Sequence, residues 1–365
     1  MGIVQFLAPP NRACRCSPQP FGDTLSPPSS LRQTALARTQ TLEHWLAHQY
    51  RGHSFSFAPA SEDASFRRYF RVSSAGRSAI VMDAPPEHED CRTFVKVARL
   101  FTAAGVHVPE ILAEDFDNGY LLLSDLGHQT YLQVLNAQNA RLLYSEATSA
   151  LIRIQVSSRE GVLPPYDREL LLRELRLFPD WYLSRHLGVQ LSEAQSAVLS
   201  AVFETVLANN LAQPRVFVHR DYHSRNLMLS SPNPGILDFQ DAVYGPITYD
   251  LVSLLKDAYV CWDEEQLLDW AIGYWEKARK ARLPVAQDFA EFYRDFEWMG
   301  VQRHIKVLGI FARLFHRDGK SGYLKDMPLV MEYLRKACSR YQALDPLSRL
   351  LDQLQGHASG SGYTF

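Results

Sequence analysis

Val216-Phe217-Val218-His219-Arg220-Asp221-Tyr222-His223-Ser224-Arg225-Asn226 is the stretch on which the fold turns. Its apolar triplet reads as a short buried strand that runs directly into a polar loop. A second short apolar run, Gly235-Ile236-Leu237, leads into Asp238-Phe239-Gln240-Asp241. Between them Leu227-Met228-Leu229 and the turn residues Ser231-Pro232-Asn233-Pro234 complete a hairpin, which carries Asn226 and Asp238 together. Taken singly, each polar residue is an ordinary loop group, with His219 a satisfied structural histidine and Asp238 capping a turn. The ordered set is what carries information.

Downstream, Gly245-Pro246-Ile247-Thr248-Tyr249-Asp250 opens a helix whose apolar stripe is Leu251, Leu254, Leu255 and Ala258. Asp250 there suits the positive end of the helix dipole. Upstream, a helix is predicted over 36–50, and Ser54-Phe55-Ser56-Phe57 alternates as a strand. Two more strands follow, at 66–72 and 78–84, divided by the turn residues Ser73-Ser74-Ala75-Gly76. Phe94, Val97, Phe101 and Ala104 share one face of a helix over 89–104 that Gly105 terminates. Ile111-Leu112-Ala113 and Tyr120-Leu121-Leu122-Leu123 flank Asp117-Asn118-Gly119, a hairpin signal. From about residue 130 nearly every periodic segment is helical. The class is therefore α+β, with a small antiparallel five-stranded sheet lobe ahead of a larger, mainly helical one.

The chain of 365 residues is 46% hydrophobic, enough for a substantial core. Its 38 basic and 40 acidic residues leave a formal charge of -2, so no global positive excess exists to hold nucleic acid or an anionic membrane. Any phosphate site must be local. No run approaches the ~20 apolar residues of a membrane-spanning helix. The start, Met1-Gly2-Ile3-Val4-Gln5-Phe6, carries neither an acylation nor a secretion signal, so a cytoplasmic enzyme is expected. Cysteines at 14, 16, 91, 261 and 338 form an odd set without metal-site spacing, which directs any metal to oxygen ligands. The expected division is a flexible Pro/Ser-rich leader over 1–35, a nucleotide-binding lobe over 36–125, a catalytic and acceptor-binding lobe over 126–350, and a flexible tail over 351–365.

His219, Asp221 and Asn226 are spaced as in the catalytic loop that the segment resembles, that of protein-kinase-like enzymes. The resemblance implies a bilobal fold with ATP as phosphoryl donor, Asp221 accepting or orienting the proton of the attacking hydroxyl, and Asn226 and Asp238 ligating Mg²⁺. It also implies that His219 supports the loop and that Asp250 braces it. Lacking the Asp-Phe-Gly and Ala-Pro-Glu elements of protein kinases, the chain looks like the aminoglycoside phosphotransferase superfamily over residues 40–345. The segments Ser65-Phe66-Arg67-Arg68-Tyr69-Phe70-Arg71, Val81-Met82-Asp83-Ala84-Pro85-Pro86 and Gln302-Arg303-His304-Ile305-Lys306-Val307-Leu308-Gly309-Ile310-Phe311 resemble the bacterial anomeric amino-sugar kinases of cell-wall recycling. These phosphorylate N-acetylmuramate and N-acetylglucosamine at C1. Other acceptors of the superfamily, such as choline, homoserine or an aminoglycoside, remain alternatives.

One departure from the kinase plan stands out. The third strand should offer the phosphates a Lys, and its slot holds Met82, which leaves a nucleotide-binding pseudokinase as a further alternative. Arg67, Arg68, Arg77 and Lys96 are candidates to supply the charge, with Arg68 the one assigned to the nucleotide. Ala60-Ser61-Glu62-Asp63-Ala64-Ser65, the expected phosphate-covering loop, has no glycine, and Ser61 and Ser65 are its candidate phosphate contacts. Ser124, Asp125 and Leu126 should border adenine through their backbone groups.

For the acceptor, the candidates are His223, Arg225, Gln240, Tyr244, Arg303 and Lys306, with Tyr259 and Trp262 able to stack on a sugar face. The helix over 295–315 is read as burying Trp298, Val301, Ile305, Leu308 and Phe315 and leaving Gln302, Arg303, Lys306 and Arg313 on other faces. Those basic residues either form a solvated face or, for Arg303 or Lys306, meet the lactyl carboxylate of N-acetylmuramate.

Overall fold

A computed structural model describes residues 29–61 and 67–360. Helix α1 (Ser29–Gln49) belongs to a first compact unit ending at His53, and everything from Ser54 onward forms the second. The second unit begins with strands β1 (Ser56–Ser61), β2 (Arg68–Ser74) and β3 (Arg77–Asp83), then helix α2 (Cys91–Ala103), then β4 (Ile111–Asp115) and β5 (Tyr120–Ser124). The chain order of three strands, one helix and two strands is as expected, and the five strands form an antiparallel sheet in the spatial order β1-β2-β3-β5-β4.

Local chemistry explains the boundaries. Asp90 caps α2 by accepting the Arg92 NH at 2.9 Å, and the buried face of α2 is Cys91, Phe94, Val95, Val97, Ala98 and Phe101. In the β4–β5 turn, Asp115 accepts the Asn118 NH at 3.0 Å and Gly119 adopts φ 70. A Cβ at Gly119 would lie 1.9 Å from the Ala84 carbonyl oxygen, so only glycine lets this hairpin lie against the end of β3.

The larger lobe comprises α3 (Tyr131–Val134), α4 (Ala140–Val156), α5 (Arg168–Leu177), a π-helical segment (Phe178–His186) and α6 (Glu193–Ala212). Two small strand pairs follow: β6 (Arg215–Val218) with β9 (Val243–Pro246), and β7 (Leu227–Met228) with β8 (Gly235–Ile236). Helices α7 (Tyr249–Leu255), α8 (Glu264–Lys280), α9 (Phe289–Asp318), α10 (Met327–Arg340) and α11 (Asp345–Gly360) complete it.

Helix α9 is the axis of this lobe, packed against α5, the π-helical segment, α6, α7 and α10. The sequence reading leaves Gln302, Arg303 and Lys306 off the buried face. The structure buries all three, at 0%, 6% and 5% exposure, because neighbours wrap α9 on more than one side. Phe315, expected in the core, is half-buried.

Candidate active site

The catalytic-loop segment leaves β6 through a bend at Arg220, which has φ 78. A non-glycine residue in that region costs ~1–2 kcal/mol, so the surroundings must hold it. Asp250, in the first turn of α7, does so by accepting the His219 NH at 2.6 Å and the Arg220 NH at 3.0 Å. Burial pushes the Asp250 carboxyl up to about 7, with these two donors pulling the other way. His219 is fully buried, its Nε2 lying 2.9 Å from the Leu237 carbonyl and its Nδ1 accepting the Asp221 NH at 3.3 Å. The ring is thus satisfied as a neutral imidazole protonated on Nε2, and burial pushes its pKa down to about 4.

Asn226 and Asp238 come together on the hairpin as expected, with Asp221 beside them in the preceding loop. Asn226 Nδ2 donates to the Asp221 carbonyl at 2.9 Å and to Asp238 Oδ2 at 3.3 Å. Asp238 itself has φ 61, a second left-handed non-glycine residue in the site. It is anchored from behind by Phe239, whose ring lies 4.8 Å from Phe94 and 5.9 Å from Phe101 of α2. The sheet lobe therefore positions a residue of the helical lobe. Gln240 Nε2 donates to Asp238 Oδ1 at 2.8 Å, which places Gln240 as a support of Asp238 and outside the lining of the cleft.

The Asp221 side chain is 42% exposed to the cleft, and Arg303 Nη2 stands 3.8 Å from it. Burial would raise the Asp221 carboxyl, but the cationic surroundings, led by Lys306 and Arg303, hold it well below the usual carboxylate range. Those cations are themselves fixed. Arg303 Nη1 donates to the Arg220 carbonyl at 2.8 Å and to the Tyr249 hydroxyl at 3.1 Å. Lys306 Nζ reaches Glu174 Oε1 at 2.8 Å and the Tyr249 hydroxyl at 2.9 Å.

Glu174 on α5 is the hub that sequence reasoning misses. It accepts from Lys306, from Arg220 at 2.5 Å, from Gln302 at 3.3 Å and from the Tyr166 hydroxyl. Within Arg168-Glu169-Leu170-Leu171-Leu172-Arg173-Glu174, Glu174 reads as a surface helix residue, and no local pattern marks it as buried.

A cleft of about 740 Å³ opens over these groups, walled on the sheet side by Tyr69, Arg71, Ile80 and the 123–127 link. Met82 is buried at 1% and does not line it. None of the four cations offered as its replacement lines the cleft either. Arg67 pairs with Glu89 at 3.7 Å, Arg68 donates through Nε to buried Asp83 at 2.9 Å, and Arg77 and Lys96 are solvent-exposed. The expected phosphate role of Arg68 thus meets a side chain committed to Asp83. The side chain of Ser61 and the whole of Ser65 lie outside the described residues.

In the link, Asp125 is gripped by Arg71 through bonds of 2.7 and 3.0 Å, and Arg71 also donates to the Gly127 carbonyl at 2.7 Å. Burial opposes the Asp125 charge, but Arg71 and the Gly127 NH hold its carboxyl below the ordinary value. Alternation along β2 puts Tyr69 and Arg71 on one face, which is legible in the sequence, but nothing local pairs Arg71 with Asp125. Ser124 Oγ accepts the Glu110 NH at 2.8 Å, and Leu126 borders the cleft.

Of the acceptor candidates, His223, Arg225 and Arg303 line the cleft together with Tyr259. Lys306 lies behind them. Tyr244 lies elsewhere, on β9, with Arg215 over its ring at 5.6 Å. Trp262 is turned into the fold, donating to the Tyr144 hydroxyl at 2.9 Å.

A two-lobed fold with a carboxylate, a carboxamide and a second carboxylate gathered under its cleft is the arrangement of a phosphotransferase, and the model of the phosphotransferase enzyme family matches residues 56–285. The chain belongs to that family. Among its relatives, an N-acetylmuramate/N-acetylglucosamine kinase of Pseudomonas aeruginosa is 56% identical over 296 residues, covering 81% of this chain and 88% of the relative. One of the same name from Neisseria meningitidis is 48% identical over 336 residues, covering 90% and 100%. Solved structures share the fold: a choline kinase of Streptococcus pneumoniae superposes with a TM-score of 0.58 at 12% identity, covering 81% of this chain and 99% of the other. An ADP-bound aminoglycoside phosphotransferase gives 0.54 at 12% identity, covering 80% and 97%.

Proposed function

We propose that this protein is a cytoplasmic kinase that transfers the γ-phosphoryl group of ATP to the anomeric C1 hydroxyl of N-acetylmuramate and N-acetylglucosamine, for reuse of cell-wall amino sugars. The observation that carries this reading is the Asp221 carboxylate, held ionised and open to the cleft beside the Asn226–Asp238 pair, in a chain so similar to kinases of that name. Asp221 orients the sugar hydroxyl by accepting its hydrogen bond. Held below the usual range, this carboxylate is a weak base, which suits a loose transition state in which the proton moves late, as the bond to phosphorus forms.

The donor set fits Mg²⁺. Asp238 brings a carboxylate, and Asn226, with Nδ2 engaged by Asp221 and Asp238, has Oδ1 left as an acceptor. A hard cation held there supplies charge neutralisation for the phosphates. Around it, Arg303 keeps Asp221 ionised, and Asp250 keeps the loop in its bent form.

Incubation with ATP, Mg²⁺ and each of N-acetylmuramate, N-acetylglucosamine, choline and kanamycin, followed by phosphorus NMR, tests the proposal. An anomeric phosphate signal with the two amino sugars is the expected result. Phosphorylation of choline or kanamycin alone, or of nothing, contradicts it.

A further inference from the structure

The loop that carries Asp221 also carries a cation that the chemistry above does not use. Among the described residues, four Lys and Arg side chains line the cleft: Arg71, Arg225, Lys256 and Arg303. Three have their charge engaged by the protein itself. Arg71 is bidentate on Asp125, Lys256 is 3.4 Å from Glu297, and Arg303 is held between Asp221, Tyr249 and the Arg220 carbonyl. Arg225 is exposed, and no carboxylate among the described residues forms an ion pair with it. Asp326 feels its charge only as a longer-range influence.

Two aromatic rings hold Arg225 in place: its guanidinium carbon lies 4.8 Å from the ring centre of Tyr259 and 5.4 Å from that of Tyr323. Stacking and hydrogen bonds to the hydroxyls of Tyr259 and Tyr323 steady the guanidinium but do not neutralise it, because both partners are uncharged, and its remaining N–H groups stay available to an anion. The other polar groups on this wall are of a different kind. His223 and His304 both line the cleft, burial lowers both below the ordinary histidine value, His304 to about 3, and each has an Nδ1 without a hydrogen-bond partner. Both Nδ1 atoms are buried, and both imidazoles are uncharged. They cannot balance a carboxylate.

Resting on the amino-sugar kinase reading, we propose that Arg225 receives the lactyl carboxylate of N-acetylmuramate and thereby sets the preference between acidic and neutral amino sugars. Arg303 and Lys306, which the sequence offers as candidates for this role, are 6% and 5% exposed and already bound to protein groups. The two acceptors differ at the lactyl ether on C3, so a residue that reads this group changes their ratio, whatever it does to both in common.

The test is the ratio of kcat/KM for N-acetylmuramate to that for N-acetylglucosamine in the native protein, Arg225→Gln and Arg225→Lys. Loss of a charge-assisted hydrogen bond should lower the ratio about 10-fold or more in Arg225→Gln, and Arg225→Lys, which keeps the charge without the fork, should recover part of it. If Arg225→Gln turns over neither sugar, calorimetric binding of the two sugars reads the same ratio. A ratio within about twofold of native, whether both sugars lose equally or the KM for ATP rises instead, overturns the assignment. Failure of the native protein on both sugars counts against the amino-sugar kinase reading, whereas an unchanged ratio with an active native protein counts against Arg225 alone.

Discussion

Arg303 grips the catalytic loop at two points, donating to the Arg220 carbonyl at 2.8 Å and standing 3.8 Å from the carboxylate of Asp221, the next residue. One buried guanidinium thus sets both the path of the backbone and the ionisation of the proposed base. Arg303→Met should therefore lower kcat by about 10-fold or more. The sign of its pH effect follows from the opposing forces on Asp221: burial raises its pKa and the cations lower it, so removing one cation moves the acid limb of the kcat/KM profile to higher pH. Rates followed down to the lowest pH at which both proteins stay folded would show this shift.

Glu174 stabilises the cations that stabilise Asp221. With Lys306 and Arg220 both bonded to it, Glu174→Ala leaves two positive charges buried without their partner and should destabilise the fold by about 3–5 kcal/mol. Glu174→Gln, which keeps the hydrogen-bonding shape, should lose less. Urea denaturation of both variants checks the order.

His219 makes stability pH-dependent. Its folded pKa of about 4 lies below the ~6.5 of an unfolded histidine, so the unfolded chain binds the proton first as pH falls. Its contribution is complete above about pH 6.5 and is lost towards pH 4, on the order of 3 kcal/mol. Asp250, with its carboxyl raised to about 7, contributes with the opposite sign over the same window, so the difference is what tests His219: from about pH 6.5 to pH 4 the urea midpoint of the native protein should fall relative to that of His219→Gln.

Asp238→Asn keeps the bond from Gln240 possible but removes a charge from the proposed metal site. The Mg²⁺ concentration for half-maximal velocity should rise about 10-fold or more, with the urea midpoint little changed. Titration of initial rates with MgCl₂ measures it.

Much of the fold is legible locally, because strand alternation, the Asp117-Asn118-Gly119 turn and the α2 stripe are short-range patterns that tertiary packing reinforces. The grouping of Asp221, Asn226 and Asp238 is equally local, since one hairpin carries Asn226 and Asp238 and the loop just before it carries Asp221. Helix α9 is different. Its polar positions look solvated when only one helix is considered, yet they meet Glu174 from α5 and Tyr249 from α7, far apart in sequence. The Arg71–Asp125 clamp likewise joins residues 54 apart, and only the folded sheet brings them together.

The most direct test of the whole account is kcat with ATP and N-acetylmuramate for Asp221→Ala against the native protein, with the urea midpoint and sugar binding measured on the same samples. The loss of the proposed base predicts a fall in kcat of ~10²–10⁴ with fold and sugar binding retained. A well-folded Asp221→Ala protein turning over within about threefold of native would contradict it.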